Sequence, residues 1–354
     1  MKEKVCQLVH TLSYGDAISG EVIAMHRLLE ENGFESNIYS INTHPKYKGL
    51  TKNYKELPLD TTAKVILHYS LGSDLNRVYE NLNSAKRALV YHNITPYHFF
   101  EGVNPRIVND IKSGILEFPK LCKITDLIIA DSSFNALDIE KLGLEAKVLP
   151  LLFDNKKWNI EANVGIESIL QKDNTINILH TGRLAPNKCI EDIIKSFYFL
   201  HHKIEKNSKL YLIGIDVDTE IYSFMLKELV AALNLKDAVR FCGSVADSEL
   251  KAFYKNSSVY LSMSEHEGFC VPILEAMNFS LPVVSYKSTA LEDTVGNGGI
   301  LVSEKKHEYI GEILYKVATD NKIRQEMIKA GKERISEFSE KNFSKKFLNL
   351  VKSF

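Results

Sequence analysis

Glu267-Gly-Phe-Cys-Val-Pro-Ile-Leu-Glu275 follows the run Ser258-Val-Tyr-Leu-Ser-Met263. The upstream run is β-branched and aromatic and ends in a polar cluster, which predicts a buried strand. Downstream, Pro272 stands near a first helical position ahead of apolar residues, which predicts a helix. The segment therefore reads as strand, loop and helix. Glu267 falls on the loop beyond the strand's carboxyl end, and Glu275 lies about one turn into the helix, so both carboxylates can face one crevice. The backbone N–H groups of the helix start, around Gly268, Phe269, Cys270 and Val271, together with its positive dipole end, make a cradle for phosphate. Two acids flanking an anion site suit a ligand with hydroxyls at both ends and phosphate between them. A nucleotide sugar has that form, with ribose for one acid and a hexose for the other.

Upstream, the same alternation begins at Ile176-Asn-Ile-Leu-His-Thr181 and runs into Gly182-Arg-Leu-Ala-Pro-Asn-Lys188, then a helix over about 190–201. Arg183 and Lys188 thus sit on the loop after the first strand of a doubly wound sheet, where such sheets make their phosphate contacts. Strands over 209–213 and 238–242, with helices over 220–233 and 248–255, complete the alternation. Gly243-Ser-Val245 follows a strand end. Asp216-Val-Asp218 could hold a metal and through it a diphosphate, but Arg183 and Lys188 already supply positive charge, so no metal is expected. Downstream, Thr294-Val-Gly-Asn-Gly-Gly-Ile-Leu-Val302 reads as a glycine turn into a short strand, with helices over 306–319 and 322–338 after it.

The first half repeats the pattern. A strand over 5–10 leads through Ser13-Tyr-Gly-Asp-Ala-Ile-Ser-Gly20 into a helix whose apolar face is Ile18, Val22, Met25, Leu28 and Leu29, stopped near Gly33. Further strands are expected over 36–41, 64–69, 88–92, 127–130 and 147–151. The whole is a doubly wound parallel sheet, and its ligands belong beyond the strands' carboxyl ends. His92 closes one strand just before Asn93-Ile-Thr-Pro96 and is a candidate site residue, against the reading of a satisfied structural histidine; His68 ranks below it. A helix over about 104–123 carries Ile107, Ile111, Ile115, Phe118 and Leu121 on one side, with Arg106, Lys112, Lys120 and Lys123 elsewhere. It reads as a domain wall with an option of weak peripheral membrane contact. Residues between 151 and 177 loosen into a linker.

Two motifs carry a resemblance. Glu265-His-Glu-Gly-Phe269 through Pro272 to Glu275-Ala-Met277, followed by Leu281-Pro-Val-Val-Ser285, resembles the retaining glycosyltransferases of family four, the glycosyl transferases of group 1. Gly182-Arg-Leu-x-Pro-x-Lys188 is the second signature of that family. The resemblance implies the α/β GT-B fold, two Rossmann-like doubly wound domains facing across a cleft. Residues 1–154 would bind the acceptor, residues 173–339 the nucleotide sugar, and the last helix, 340–354, would cross back onto the first domain. It further implies that Glu267 is catalytic, with His92 near the transferred sugar and Arg183 and Lys188 on the diphosphate. The donor would also meet Gly15 and Asp16, the Val245 backbone at the base, Gly268, Phe269, Cys270 and Val271, and Glu275 at the ribose. The expected reaction moves a hexose, with retention and without metal or other cofactor, to a glycan or polyprenyl-linked acceptor in surface polysaccharide synthesis. An epimerase of the same fold and a non-catalytic nucleotide-sugar-binding subunit are the alternatives.

Composition sets the outer bounds. At 354 residues, two domains are the expectation. A hydrophobic share of 45%, a charged share of 25% and a formal net charge of −1 argue against nucleic acid as the main partner. Cys6, Cys122, Cys189, Cys242 and Cys270 are scattered without paired spacing, so neither a disulfide framework nor a zinc site is expected. The apolar run Val5–Val9 is short for a signal peptide and no stretch nears a membrane span. Cytoplasmic residence, with peripheral contact at the inner face of the plasma membrane as an option, is the resulting expectation.

Overall fold

The computed structural model describes residues 2–354, and the chain divides into two compact units. The first comprises the chain up to His98, Pro105–Asp154 and Phe338–Phe354; the second comprises Phe99–Asn104 and Asn155–Glu337.

The first unit opens with β1 (Lys4–Leu12), α1 (Ala17–Glu31), β2 (Glu35–Thr43), β3 (Thr51–Asn53), β4 (Lys64–Tyr69), α2 (Asp74–Glu80), β5 (Lys86–Tyr91), α3 (Pro105–Lys123), β6 (Leu127–Ala130), α4 (Ser133–Glu140) and β7 (Lys147–Val148). All pair in parallel, in the order β3-β2-β1-β4-β5-β6-β7. β4 is buried along its full length, as a central strand covered by helices on both faces must be. Helix α1 starts where the Asp16 carboxylate accepts the Ser19 N–H at 2.9 Å and the Ser19 hydroxyl at 2.8 Å, a side-chain cap for orphan donors. The edge strand β3 has only polar residues, Thr-Lys-Asn, and gives no alternating apolar signal, so pattern reading misses it. β7 stops after two residues instead of reaching 151, because β6 pairs with it only through Ile129 and Ala130.

The second unit contains α5 (Val164–Leu170), β8 (Ile176–Thr181), α6 (Ile190–Phe199), β9 (Ser208–Ile213), α7 (Glu220–Ala232), β10 (Val239–Gly243), α8 (Asp247–Asn256), β11 (Val259–Ser262), α9 (Val271–Asn278), β12 (Val283–Tyr286), α10 (Leu291–Val295), β13 (Ile300–Val302), α11 (His307–Thr319) and α12 (Asn321–Ser336). Its six strands are parallel in the order β10-β9-β8-β11-β12-β13. The core packs Ile178, Ile190, Ile193, Phe197, Leu210, Leu212, Val259, Leu261 and Leu314 between sheet and helices. Residues read as linker are ordered here: α5 is capped by Asn163, whose side chain accepts the Ile166 N–H at 3.1 Å. Lys255 of α8 pairs with Glu167 of α5 at 2.8 Å.

The last helix, α13 (Glu340–Ser353), belongs to the first unit. Phe343, Phe347 and Val351 repeat every fourth residue and are buried in one cluster with Val5, Met25, Leu29, Ile66 and Val90. Lys64 Nζ donates to the Val351 carbonyl at 2.6 Å, satisfying an acceptor in the helix's last turn.

At the carboxyl edge of the second sheet the strand ends crowd together. Gly182 N–H donates to the Ile213 carbonyl and Gly214 N–H to the Gly243 carbonyl, each at 2.9 Å. Gly214 adopts φ +153°, and a Cβ there would lie 1.8 Å from the Gly182 carbonyl oxygen. Gly214→Ala should therefore cost roughly 2–4 kcal/mol, from backbone strain together with overpacking. Chemical denaturation of the two proteins checks this, and an unchanged midpoint would refute the close approach.

Candidate functional site

In the second sheet the strand order turns back between β8 and β11, and crevices for ligands open at such switch points. The two loops that leave these strands, 182–189 and 263–270, carry the signature residues. They are stitched together by Asn187, a buried residue whose side chain donates to the His266 carbonyl at 2.9 Å and whose carbonyl accepts the Glu265 N–H at 3.0 Å. Across this seam Lys188 Nζ donates to Glu267 Oε2 at 2.5 Å, and the Glu267 N–H is held by Thr289 Oγ1 at 3.0 Å. Burial, the largest single influence, would depress the Lys188 ammonium, but its neighbours together, the Glu267 carboxylate foremost, hold Lys188 above the ordinary lysine value. Arg183 donates through Nη2 to the Val217 carbonyl at 2.8 Å.

Glu275, on α9, is buried with both carboxylate oxygens engaged. Tyr254 Oη donates to Oε2 at 2.8 Å, and Lys157 Nζ donates to Oε1. Cys270 caps α9 in the left-handed region at φ +80°, a conformation that non-glycine residues rarely adopt. Burial, then the nearby Glu267 charge, push its thiol well above the usual range, so it is an inert thiol. Phe269 is buried and its carbonyl accepts from Thr294 Oγ1. Gly268 and Val271 are half-buried beside it, and Val245 is half-buried on the loop after β10. The structure thus gathers Lys188, Glu267, Cys270 and their loop neighbours, and ties Glu275 to residues that sequence reasoning did not select, Lys157 and Tyr254. Asn187 and Thr289 were missed too, because a stitching role has no spacing signal.

The remaining candidates lie in the first unit. Gly15 turns the chain at φ +78° with open space where a Cβ would stand, and Asp16 is occupied as the α1 cap. His92 is buried, and both ring nitrogens are engaged: Nδ1 with Asp131 Oδ2 at 2.8 Å, Nε2 with His68 Nδ1 at 3.0 Å. His68 Nε2 in turn faces Gln7 Oε1 at 3.0 Å. Gln7 donates its amide N–H to the Val22 carbonyl at 3.1 Å, which fixes its oxygen toward His68. The chain Gln7, His68, His92, Asp131 therefore crosses four neighbouring strand positions, from β1 through β4 to the ends of β5 and β6. Three bonds in series need three protons shared among two imidazoles and one carboxyl, so the set is neutral overall wherever the middle protons reside. Both ring nitrogens of His92, a candidate site residue by sequence, are therefore satisfied in this arrangement.

Two groups of side chains among the described residues could be read as metal ligands. In the first, Glu21, His68 and His92, the imidazole planes differ by 9° and their centroids are 5.2 Å apart. That spacing is nearly the sum of the hydrogen bond and two ring radii, so the nitrogens meet head-on. A gap of 3.0 Å along one line fits a proton and leaves too little for a metal needing about 2.0–2.1 Å to each nitrogen. In the second, Cys189, Asp192 and Glu265, the Lys305 ammonium already lies 2.7 Å from both carboxylates. Asp216-Val-Asp218 uses its backbone: the Val217 and Asp218 carbonyls accept from Arg183 and Asn104.

Glu21 is buried beside the histidine chain, its Oε2 3.8 Å from His92 Nδ1, and neither oxygen has a hydrogen-bond partner. Burial, then repulsion from Asp131, raise its carboxyl well above the usual carboxylate value. A folded value raised above the unfolded one makes the native state bind the extra proton, so this group's contribution falls as pH rises from about 4.3 toward the folded value. Glu21→Gln should remove that slope, gaining on the wild type by up to about 1.4 kcal/mol per pH unit within the window. Thermal melts from pH 4 to 8 measure it; parallel pH profiles for both proteins would overturn the assignment.

Comparison with known proteins bears on the family and the fold. Residues 165–334 match the family described as glycosyl transferases group 1. O-antigen chain mannosyltransferase B of Escherichia coli is 26% identical over 174 residues, 49% of this chain and 45% of that one. The capsular polysaccharide biosynthesis glycosyltransferase CapM of Staphylococcus aureus is 27% identical over 229 residues, 60% and 57% of the two chains. The chain spans about half the length of these curated relatives. Over the whole fold, HepE of Anabaena, solved in complex with UDP-glucose, superimposes with a TM-score of 0.76 at 16% identity, covering 99% of this chain and 100% of its own. Two doubly wound units of this kind are the GT-B fold, and residues 165–334 of the second carry the likeness to the glycosyl transferases of group 1.

Proposed function

We propose that the protein is a retaining glycosyltransferase that moves a hexose from a nucleoside diphosphate sugar to a hydroxyl of a glycan or lipid-linked acceptor. The carrying observation is the Lys188–Glu267 pair at the switch point of the second sheet, with Arg183 on the same loop as Lys188. Relatives named for O-antigen and capsular polysaccharide synthesis support the biosynthetic setting. The UDP-glucose complex of HepE supports a nucleotide-sugar donor.

In this reading the donor diphosphate meets Arg183, Lys188 and the start of α9. As the sugar–phosphate bond breaks, negative charge grows on the leaving group, and fixed cations stabilise it most in the transition state. Lys188, held protonated by Glu267, arrives at that task already charged. Glu267 orients the sugar hydroxyls and stabilises positive charge at the anomeric carbon, while Glu275 receives the ribose. Attack proceeds on the face of the leaving phosphate, which preserves configuration, and the cations make a metal unnecessary for charge compensation. A contact between His92 and the sugar would require one of its two ring hydrogen bonds to open.

The first unit is assigned to the acceptor. Its helix α3 exposes Ile115 and Leu116, the latter 81% accessible, near Lys112, Lys120 and Lys123, a surface suited to weak peripheral contact with an anionic bilayer. No helix among the described residues is long and apolar enough to cross a membrane.

Incubation with labelled donor, with and without acceptor, tests the reading. Transfer only with acceptor supports it; conversion of donor alone points to an epimerase, and binding without turnover to a sensor subunit. In the transferase, Glu267→Ala and Arg183→Ala should each raise the barrier by about 2–4 kcal/mol, seen as a fall in kcat. Unchanged rates in both would sink the assignment of these residues.

A further inference from the structure

Glu275 is the residue to which the donor reading assigns the ribose, yet its carboxylate is fully engaged. The Oε2 partner, Tyr254 Oη, is buried and itself lies 2.7 Å from Thr181 Oγ1. The Oε1 partner is Lys157, whose side chain is 41% exposed while that of Glu275 is 7% exposed. Lys157 sits on the 3-10 turn Asn155–Trp158, in the stretch that sequence reading took for linker. That turn is anchored independently of the ion pair. Trp158 packs edge-on against Phe279 at 4.9 Å and Tyr254 at 5.8 Å, and Lys251 Nζ holds the Trp158 and Ile160 carbonyls at 2.9 and 2.6 Å. The Lys157 ammonium also lies 4.6 Å from the Trp158 ring centroid.

We propose that Lys157 is a latch on the donor site that a ribose diol opens, a role that rests on the assignment of Glu275 to the ribose. A vicinal diol donates two hydrogen bonds and is matched by a carboxylate with a free edge. In this structure that edge is closed at Oε1 by the Lys157 ammonium. Tyr254 is the costly partner to displace, because its hydroxyl would be left buried; Lys157 is the cheap one, because its ammonium can swing into water on a flexible stem. The turn stays seated through Trp158 while the side chain leaves. A ligand bearing the diol opens the latch, whereas a diphosphate without ribose has nothing to offer Glu275 and leaves it shut. The latch lowers apparent affinity for nucleoside-bearing ligands by the fraction of time it is closed and leaves phosphate-bearing ligands without the nucleoside unaffected.

Trp158 is the sole tryptophan of the chain, and so reports on the cation beside it. The experiment titrates the full-length protein and Lys157→Met with uridine diphosphate, guanosine diphosphate and inorganic pyrophosphate, by calorimetry and by tryptophan fluorescence. Expected is a nucleoside diphosphate affinity about three- to tenfold tighter in Lys157→Met, since removing the closed state restores the competent fraction, with pyrophosphate affinity not tightened. In the wild type the nucleotide should shift Trp158 emission and pyrophosphate should not; in Lys157→Met the nucleotide-induced shift should vanish. Weakened or unaltered nucleotide binding in the variant, or equal tightening of pyrophosphate, would overturn the latch alone. If neither nucleotide bound the wild type, the donor reading of the site would fall first and the latch with it.

Discussion

The ammonium of Lys188 and the carboxylate of Glu267 belong to loops 79 residues apart in sequence, yet they meet at 2.5 Å. Opposite charges brought partly out of water at that range attract strongly, but only if both are held where desolvation has already been met by other contacts. The surrounding architecture serves that condition. Parallel strands β8 and β11 lie side by side and deliver both loops to the same edge, and the helices that follow pack into the core behind them. Without that register the two signatures would be two unrelated surface loops.

The loops are kept in register mainly by groups that carry no charge. Asn187 binds one loop to the other through its side chain and its carbonyl, and Thr289 holds the Glu267 backbone from a third segment. Such contacts are short and buried, so they set position to a fraction of an ångström and leave the ionic groups to act on a ligand. Glu275 is treated differently. One oxygen is fixed by a buried tyrosine and the other by a half-exposed lysine, so the acid is rigidly placed but only loosely closed.

In the first unit a comparable network has turned inward. Gln7, His68, His92 and Asp131 satisfy one another in series across neighbouring strands, leaving Glu21 as the acid with no donor. A polar chain in the middle of a buried sheet is tolerable because each ring nitrogen along it has a partner, although Asp131 Oδ1 at its end is left buried without one. It also shows why a strand-end histidine was ambiguous in sequence: position at a carboxyl end is shared by ligand-binding and core residues alike, and only the partners separate them.

Much of the fold was legible before any coordinates. The spans of β4, β6 and β8 follow directly from continuous apolar runs, and α13 from the four-residue repeat of Phe343, Phe347 and Val351, because burial on a regular element imposes its period on the sequence. The acid pair and the Arg183–Lys188 loop were legible for a related reason: each is a local strand–loop–helix unit. What sequence could not reach were contacts between distant segments and elements without a period. β3 is polar; α5 was hidden in a stretch that looks like linker; Asn187, Thr289, Tyr254 and Lys157 have no spacing to mark them. Local periodicity and turn chemistry therefore determined which elements form and which residues stand at strand ends. Only the tertiary structure decided what each of those residues faces, because hydrogen-bond and ion-pair partners are chosen by distance in space, and the chain's order does not encode that distance.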